Sequence, residues 1–435
     1  MLLTSARYPD VLFKEATLVD PETGLRRRAD MLIREGHIAR IAPHITEENI
    51  PVVDCTGRMI SPGWMDMHVH LREPGQEYKE TIETGCRAAA FGGFTAVACM
   101  PNTDPPIHTR DVVQYVIEKA EPLPVDVYPI ACVSKHREGK ELAEMADLVA
   151  AGAVAFSDDG SPVQHGGLMR RALEYSSMLD RPIINHMEDL TLNPHGHMHE
   201  GSVSTRLGIP GIPSLAEEVM IARDILLAEY TGGHVHVAHI STARGVELVR
   251  RAKNRGISVT AEVCTHHFTL TDETVEQSGF STNTKMHPPL RTQEDIEAIK
   301  VGLQDGTIDA ICTDHAPHAS FEKDVEFNAA PFGIIGLETA WGLIGRELIN
   351  AGVLDLTDAL YKLVISPRQI LRIPVPRLEE GQQANLTIFD ITTSWVFEER
   401  HIHSRSKNTP FIGTRLHGKA WGIYNKGQLV TVTEQ

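Results

Sequence analysis

The feature that most limits how this chain can fold is a unit repeated through its middle, a short apolar run followed by a stretch of helical period. The apolar runs end near His70, Pro101, Ser134, Asp159, Glu188, Ile240, Thr265 and His315. Between them lie segments such as ETIETGCRAAAFGG, TRDVVQYVIEKA, GKELAEMADLVAAG, GLMRRALEYSSMLD, SLAEEVMIARDILLAEY and GVELVRRAKNRG. Several carry apolar residues at i, i+3, i+4 and i+7, the stripe a helix needs to pack on a sheet. Strand–helix units in an unbroken row predict a parallel (β/α)8 barrel of the TIM type. A doubly wound open sheet is the alternative, because strand order is not legible in periodicity.

The two ends have a different grain. Residues 11–19 (VLFKEATLV) and 30–34 (DMLIR) are short β-prone runs, with Glu35-Gly36 as a tight turn before HIARIA. ANLTIFD (384–390) and KAWGIYNKGQLVTV (419–432) read the same way, with Asn425-Lys426-Gly427 as a turn. Together they predict one small discontinuous β domain, residues 1–60 and 376–435, around a barrel of residues 61–375. A net charge of −17 (41 Lys+Arg against 58 Asp+Glu) disfavours nucleic acid as a partner, since displacing counterions from phosphate needs a basic stripe. It leaves an anionic small molecule open, because one arginine can reverse the field inside a pocket. The six cysteines are scattered without a C-x-x-C pair, which predicts buried reduced thiols. MLLTSARYPD has no basic segment before an apolar run, and no stretch is long enough to span a bilayer; a cytoplasmic protein is expected.

The chemistry gathers where the apolar runs stop. In PGWMDMHVHLREPG (62–75), His68 and His70 are two apart on a strand and project to one face. Two imidazoles at that spacing suit a transition metal, although a lone His-x-His is more often plain strand surface. Here the pair ends the first barrel strand, where barrel active sites are built. The other strand ends carry similar residues: Asp158 and Asp159 in AFSDDG, His186 in IINHMED, His239 in HVHVAHIS, and Asp314, His315 and His318 in AICTDHAPH. Four histidines and two carboxylates exceed what one zinc takes. They suit two divalent ions sharing a carboxylate, which can acidify a common water and polarise a carbonyl.

With these residues in view, the sequence resembles the amidohydrolase superfamily and, within it, the bacterial type I dihydroorotases. The likeness runs through DMHVHLREPG (66–75), MPNTDPP (100–106), FSDDG (156–160), GIPSLAEEVMIARD (211–224), PPLR (288–291), TDHAPH (313–318), APFGIIGLET (330–339) and SKNTPFIGTRLHG (406–418). The resemblance implies two zinc ions per subunit, the first on His68, His70 and Asp314 and the second on His186 and His239. Relatives often bridge the metals with a carbamylated lysine; FSDDG has none, and the type I pattern puts an aspartate there, Asp159, with Asp158 as its rival. It further implies Asp314 as the proton-transferring catalytic residue. Substrate contacts fall on His70, Leu71, Arg72, Asn102, His318, Phe332 and Gly333, with Arg72 and Asn102 against a substrate carboxylate. The implied reaction is reversible cyclisation of N-carbamoyl-L-aspartate to dihydroorotate in pyrimidine synthesis. Homodimers, or a complex with aspartate transcarbamoylase, are implied as assemblies.

One departure stands out: the family's KxNPPLR reads KMHPPLR here, so His287 occupies the place of a substrate-contacting asparagine. His195, His197 and His199 look like a metal cluster by composition, but no strand is expected to fix them, so a solvated loop is the reading. His266 and His267, after the seventh strand, are as well suited to a structural role. Two other functions remain. An allantoinase or hydantoinase would want the lysine absent from FSDDG and would lack the HLR clamp. A non-catalytic homologue scaffolding the transcarbamoylase would have lost ligands, and none of the six is missing.

Overall fold

The structure, a computed structural model, describes residues 2–433 apart from residue 194. Eight short strands form one parallel sheet: β1 (Trp64–Val69), β2 (Phe94–Cys99), β3 (Asp126–Ala131), β4 (Ala155–Phe156), β5 (Ile183–Asn185), β6 (Val235–Val237), β7 (Val259–Cys264) and β8 (Ala310–Cys312). Each pairs with its neighbour in chain order, with no reversal, so the doubly wound alternative does not apply. The seam between first and last strand closes just past their ends. Val69 bridges His315 in parallel register, and the His70 amide donates to the His315 carbonyl at 2.8 Å. Asp66 ties the same seam, accepting from the Thr313 hydroxyl at 2.6 Å and the His68 amide at 3.0 Å. Strands covered on both faces need to be apolar throughout, and every residue of β1 and β2 is buried.

The crossover helices are α1 (Ile82–Gly92), α2 (Arg110–Ala120), α3 (Met145–Ala151), α4 (Gly166–Met178), α5 (Ser214–Thr231), α6 (Ala243–Asn254), α7 (Gln293–Gln304) and α8 (Leu356–Val364). Thr81 and Thr84 close a capping box at the start of α1. Gly93 ends it at φ 92°, where an added Cβ would stand 2.8 Å from the Trp64 ring. The helical period over 139–152 delivers a helix only from Met145. Before it the chain turns back on β3's exit, with Ala143 N bonded to Val133 O and Lys135 N to Glu141 O, both at 2.9 Å. That pairing competes successfully with the helix.

Both termini build a second, nine-stranded mixed sheet. Leu386–Val396 pairs antiparallel with Met59–Pro62, joining the two ends of the chain. Leu25–Arg34 begins five residues before the expected run because the exposed Arg26–Arg28 continue its hairpin with Val11–Asp20. The expected turns form: Glu35 and Gly36 lie at φ 49° and 75°, Lys426 and Gly427 at 51° and 69°, as two-residue hairpin loops require. Among the described residues all six cysteines are buried and unbridged, and no helix is long and apolar enough to cross a membrane.

Trp64 joins the two layers. Its ring lies 4.5 Å from that of Trp341 and 5.1 Å from that of Phe389 on the terminal sheet, and Nε1 donates to Ser61 at 2.9 Å. Trp64→Ala is expected to cost about 3–5 kcal/mol, the usual range for emptying a buried aromatic site. A denaturant titration showing less than 1 kcal/mol lost would remove Trp64 from this role.

Candidate metal centre

The sequence delivers its polar residues to the rim where each strand gives way to loop, and the barrel gathers them within a few ångströms. The Asp159 carboxylate lies between all four histidines. Its Oδ1 is 3.6 Å from His68 Nε2, 3.7 Å from His186 Nδ1 and 3.5 Å from His239 Nε2, and its Oδ2 is 3.5 Å from His70 Nε2. Asp314 Oδ1 sits against the other side, 2.8 Å from His70 Nε2 and 3.6 Å from His68 Nε2. His186 Nδ1 and His239 Nε2 face each other at 3.1 Å. Donor atoms about 2.0–2.2 Å from a shared ion stand roughly this far apart. His68 Nε2 and Asp159 Oδ1 are buried without a hydrogen-bond partner, an expense that a cation removes. The donor set therefore fits divalent metal.

Asp158 turns the other way. Its Oδ1 takes the Val133 and Ser134 amides at 2.9 and 3.1 Å, and its Oδ2 takes the Ser134 hydroxyl, so it anchors the exit of β3. His315 is also turned from the rim, its Nδ1 accepting the Gly336 amide at 3.2 Å and its Nε2 facing Glu80.

The remaining ring nitrogens of the first pair each have a partner. His68 Nδ1 is 2.5 Å from Glu262 Oε1 on β7, and His70 Nδ1 is 2.7 Å from Asn102 Oδ1. A carboxylate or carbonyl there fixes the tautomer that presents Nε2 to a metal. Asn102, expected at a substrate carboxylate, thus spends its carbonyl on His70. Burial opposes charge on His68, but Glu262 and Asp159 outweigh it and hold its pKa well above the imidazole range. Burial likewise raises Asp159, and the imidazolium of His68 with the His186 and His239 contacts reverses this to well below the carboxylate range. The backbone at Arg72, His239 and Asp314 has φ of 61°, 33° and 47°, the strained left-handed region.

A pocket of about 330 Å³ opens over these groups, lined by residues that include Arg72, Asn102, His287, His318, Phe332 and Gly333. Arg72 is buried and donates Nε to the Pro317 carbonyl at 3.2 Å. Its Nη groups have no hydrogen-bond partner among the described residues. His318 Nε2 is 2.8 Å from the Phe332 carbonyl, and burial, with Arg72 nearby, drops its pKa to about 2. Leu71 is placed differently from the expectation: its side chain packs in the core over Gly85 and does not line the pocket.

The comparisons with known proteins bear on this arrangement. A family model described as Dihydro-orotase-like matches residues 57–245. A dihydroorotase of Pelotomaculum thermopropionicum is 52% identical over 97% of this chain and 98% of that protein. One from Syntrophus aciditrophicus is 50% identical over 97% and 99%. This chain belongs to the dihydroorotase family. The fold is shared more widely: an L-hydantoinase (dihydropyrimidinase) from Arthrobacter aurescens superposes with a TM-score of 0.86 at 24% identity, covering 98% of both chains.

Within that family framework, two acids escaped the sequence reading. Glu262 is a fully buried charge in the apolar run VTAEVC, and that mismatch was the available signal. Glu188, two residues after His186, lies 3.6 Å from His186 Nε2. A correction concerns His199. It is no solvated loop residue but sits on a short strand paired with Gly211–Ile212, buried, with Nδ1 3.1 Å from Arg291 Nη1. Burial and the neighbouring guanidinium lower its pKa to about 4. His267 Nε2 lies 2.9 Å from the Pro288 carbonyl, holding the PPLR loop. Glu262→Gln is expected to weaken metal binding about 10–100-fold through His68, read by competition with a chromogenic chelator; unchanged affinity would remove Glu262 from this role.

Proposed function

We propose that this chain is a dihydroorotase that uses two zinc ions to interconvert dihydroorotate and N-carbamoyl-L-aspartate in the cytoplasm. The observation that carries the reading is the Asp159 carboxylate shared by four converging imidazoles at the floor of a pocket whose wall is Arg72. His68, His70 and Asp314 would hold one ion and His186 and His239 the other, with the Asp159 carboxylate within reach of both groups. When bound, the metals supply an acidified water and a Lewis-acid contact for the carbonyl oxygen.

The protein's own groups do the rest. In the hydrolytic direction the ring C–N amide bond breaks as water adds across it: the carbonyl carbon gains hydroxyl and the nitrogen gains hydrogen. Asp314 keeps Oδ1 against His70 and uses Oδ2 to accept the water's proton and return it to the departing nitrogen. Arg72 binds the substrate carboxylate through its Nη edge, the fork matching two oxygens. Asn102, its carbonyl occupied by His70, offers only its amide N–H groups to the same carboxylate. His318 closes the wall and holds the Phe332 carbonyl, which leaves the Phe332-Gly333 backbone set against the substrate.

Asp314→Asn is expected to retain at least one metal by elemental analysis yet lose most turnover in both directions. Full activity in that variant would refute the proton-shuttle role. Arg72→Ala is expected to weaken dihydroorotate binding by about 2–5 kcal/mol, the usual range for orphaning a buried charge partner, and this reads as a raised KM. Preference for hydantoin or allantoin over dihydroorotate in the unmodified protein would overturn the assignment of substrate.

A further inference from the structure

The histidine that departs from the family pattern has a place of its own in the pocket wall. His287 Nε2 lies 2.5 Å from Glu188 Oε2, and the same oxygen is 3.6 Å from His186 Nε2. One face of the His287 ring stacks on Phe332, centroids 4.7 Å apart at 25°. Its other neighbour is the His186 ring, 4.5 Å away and steeply inclined at 60°. Glu188 is buried, and among the described residues its carboxylate is in ion-pair range of these two imidazoles, in a geometry that makes no hydrogen bond. A buried carboxylate with so few partners stays where the partners hold it.

His186 turns Nδ1 toward Asp159 and His239, so Nε2 is the edge by which the ring can be steadied. We infer that His287 is a positioning residue: it holds Glu188 opposite His186 Nε2 and thereby fixes the imidazole that retains the second metal. The inference rests on the metal-centre reading above. An asparagine at this position ends short of where the imidazole Nε2 sits, so it cannot hold Glu188 in the same way and is left for the substrate. The stack also links His186 to the segment over the pocket, since the Gly333 amide donates to the Lys285 carbonyl at 2.9 Å, two residues before His287.

The test compares metal release from purified holoenzyme to excess dipicolinate, followed by elemental analysis, alongside KM and kcat for dihydroorotate. His287→Phe keeps a ring against Phe332 but has no Nε2. It is expected to release one metal equivalent roughly 10–100 times faster than wild type, the usual loss of metal affinity when such a partner is removed falling on dissociation, with KM little changed. His287→Gln, whose amide nitrogen reaches farther than that of Asn, is expected to restore slow release. Glu188→Gln is expected to behave like His287→Phe, and combining the two to add little. Wild-type release in both His287→Phe and Glu188→Gln would overturn the inference, as would a raised KM in His287→Phe with release unchanged, which would make His287 a substrate contact. Metal-free, inactive wild-type protein would instead overturn the metal-centre reading, and this inference with it.

Discussion

The four metal-site histidines of this barrel are arranged around one buried carboxylate. Asp159 is buried, and a carboxylate in such a place carries a desolvation penalty of several kcal/mol. Four imidazoles from three strand ends face it at 3.5–3.7 Å and offset that penalty. The imidazoles in turn are steadied from behind by Glu262 and Asn102 for the first pair and by Glu188 for His186. Charge therefore alternates in shells from the centre outward. These groups come from several strand ends at once, so the geometry depends on the barrel closing in register between β1 and β8.

The fold was legible because its signal is periodic. Strand runs and helical stripes follow from burial, and burial is written in apolar spacing. What escaped was set by contacts distant in sequence. The stretch 139–144 has helical period, yet it lies back on residues 133–135 because those backbone groups also need partners. The β-prone run is legible only from residue 30, yet Arg26–Arg28 extend the strand because the opposite strand of the hairpin is long.

The site divides along the same line. Histidines and aspartates at strand ends could be found by position, and Asp159 stood apart from Asp158 only through a family pattern. The structure supplies the physical reason: Asp158 is drawn off by two amides and a hydroxyl at β3's exit. Glu262 and Glu188 act through a histidine rather than on a substrate, and no motif announces such residues. Leu71 sat within a motif of functional neighbours, yet on a strand exit the side chains alternate, and between His70 and Arg72 it turns to the core.

The pairing of Met59–Pro62 with Leu386–Val396, and of Leu2–Arg7 with Gln428–Thr433, bears on how the chain is made. During synthesis the amino-terminal strands leave the ribosome more than three hundred residues ahead of their partners. Their open edges must stay unpaired while the whole barrel is translated, a period in which another chain's strand is the nearest competitor. The second layer can finish only after residues 386–433 have been made, so a chain lacking them is left with an unsatisfied strand edge beside the barrel.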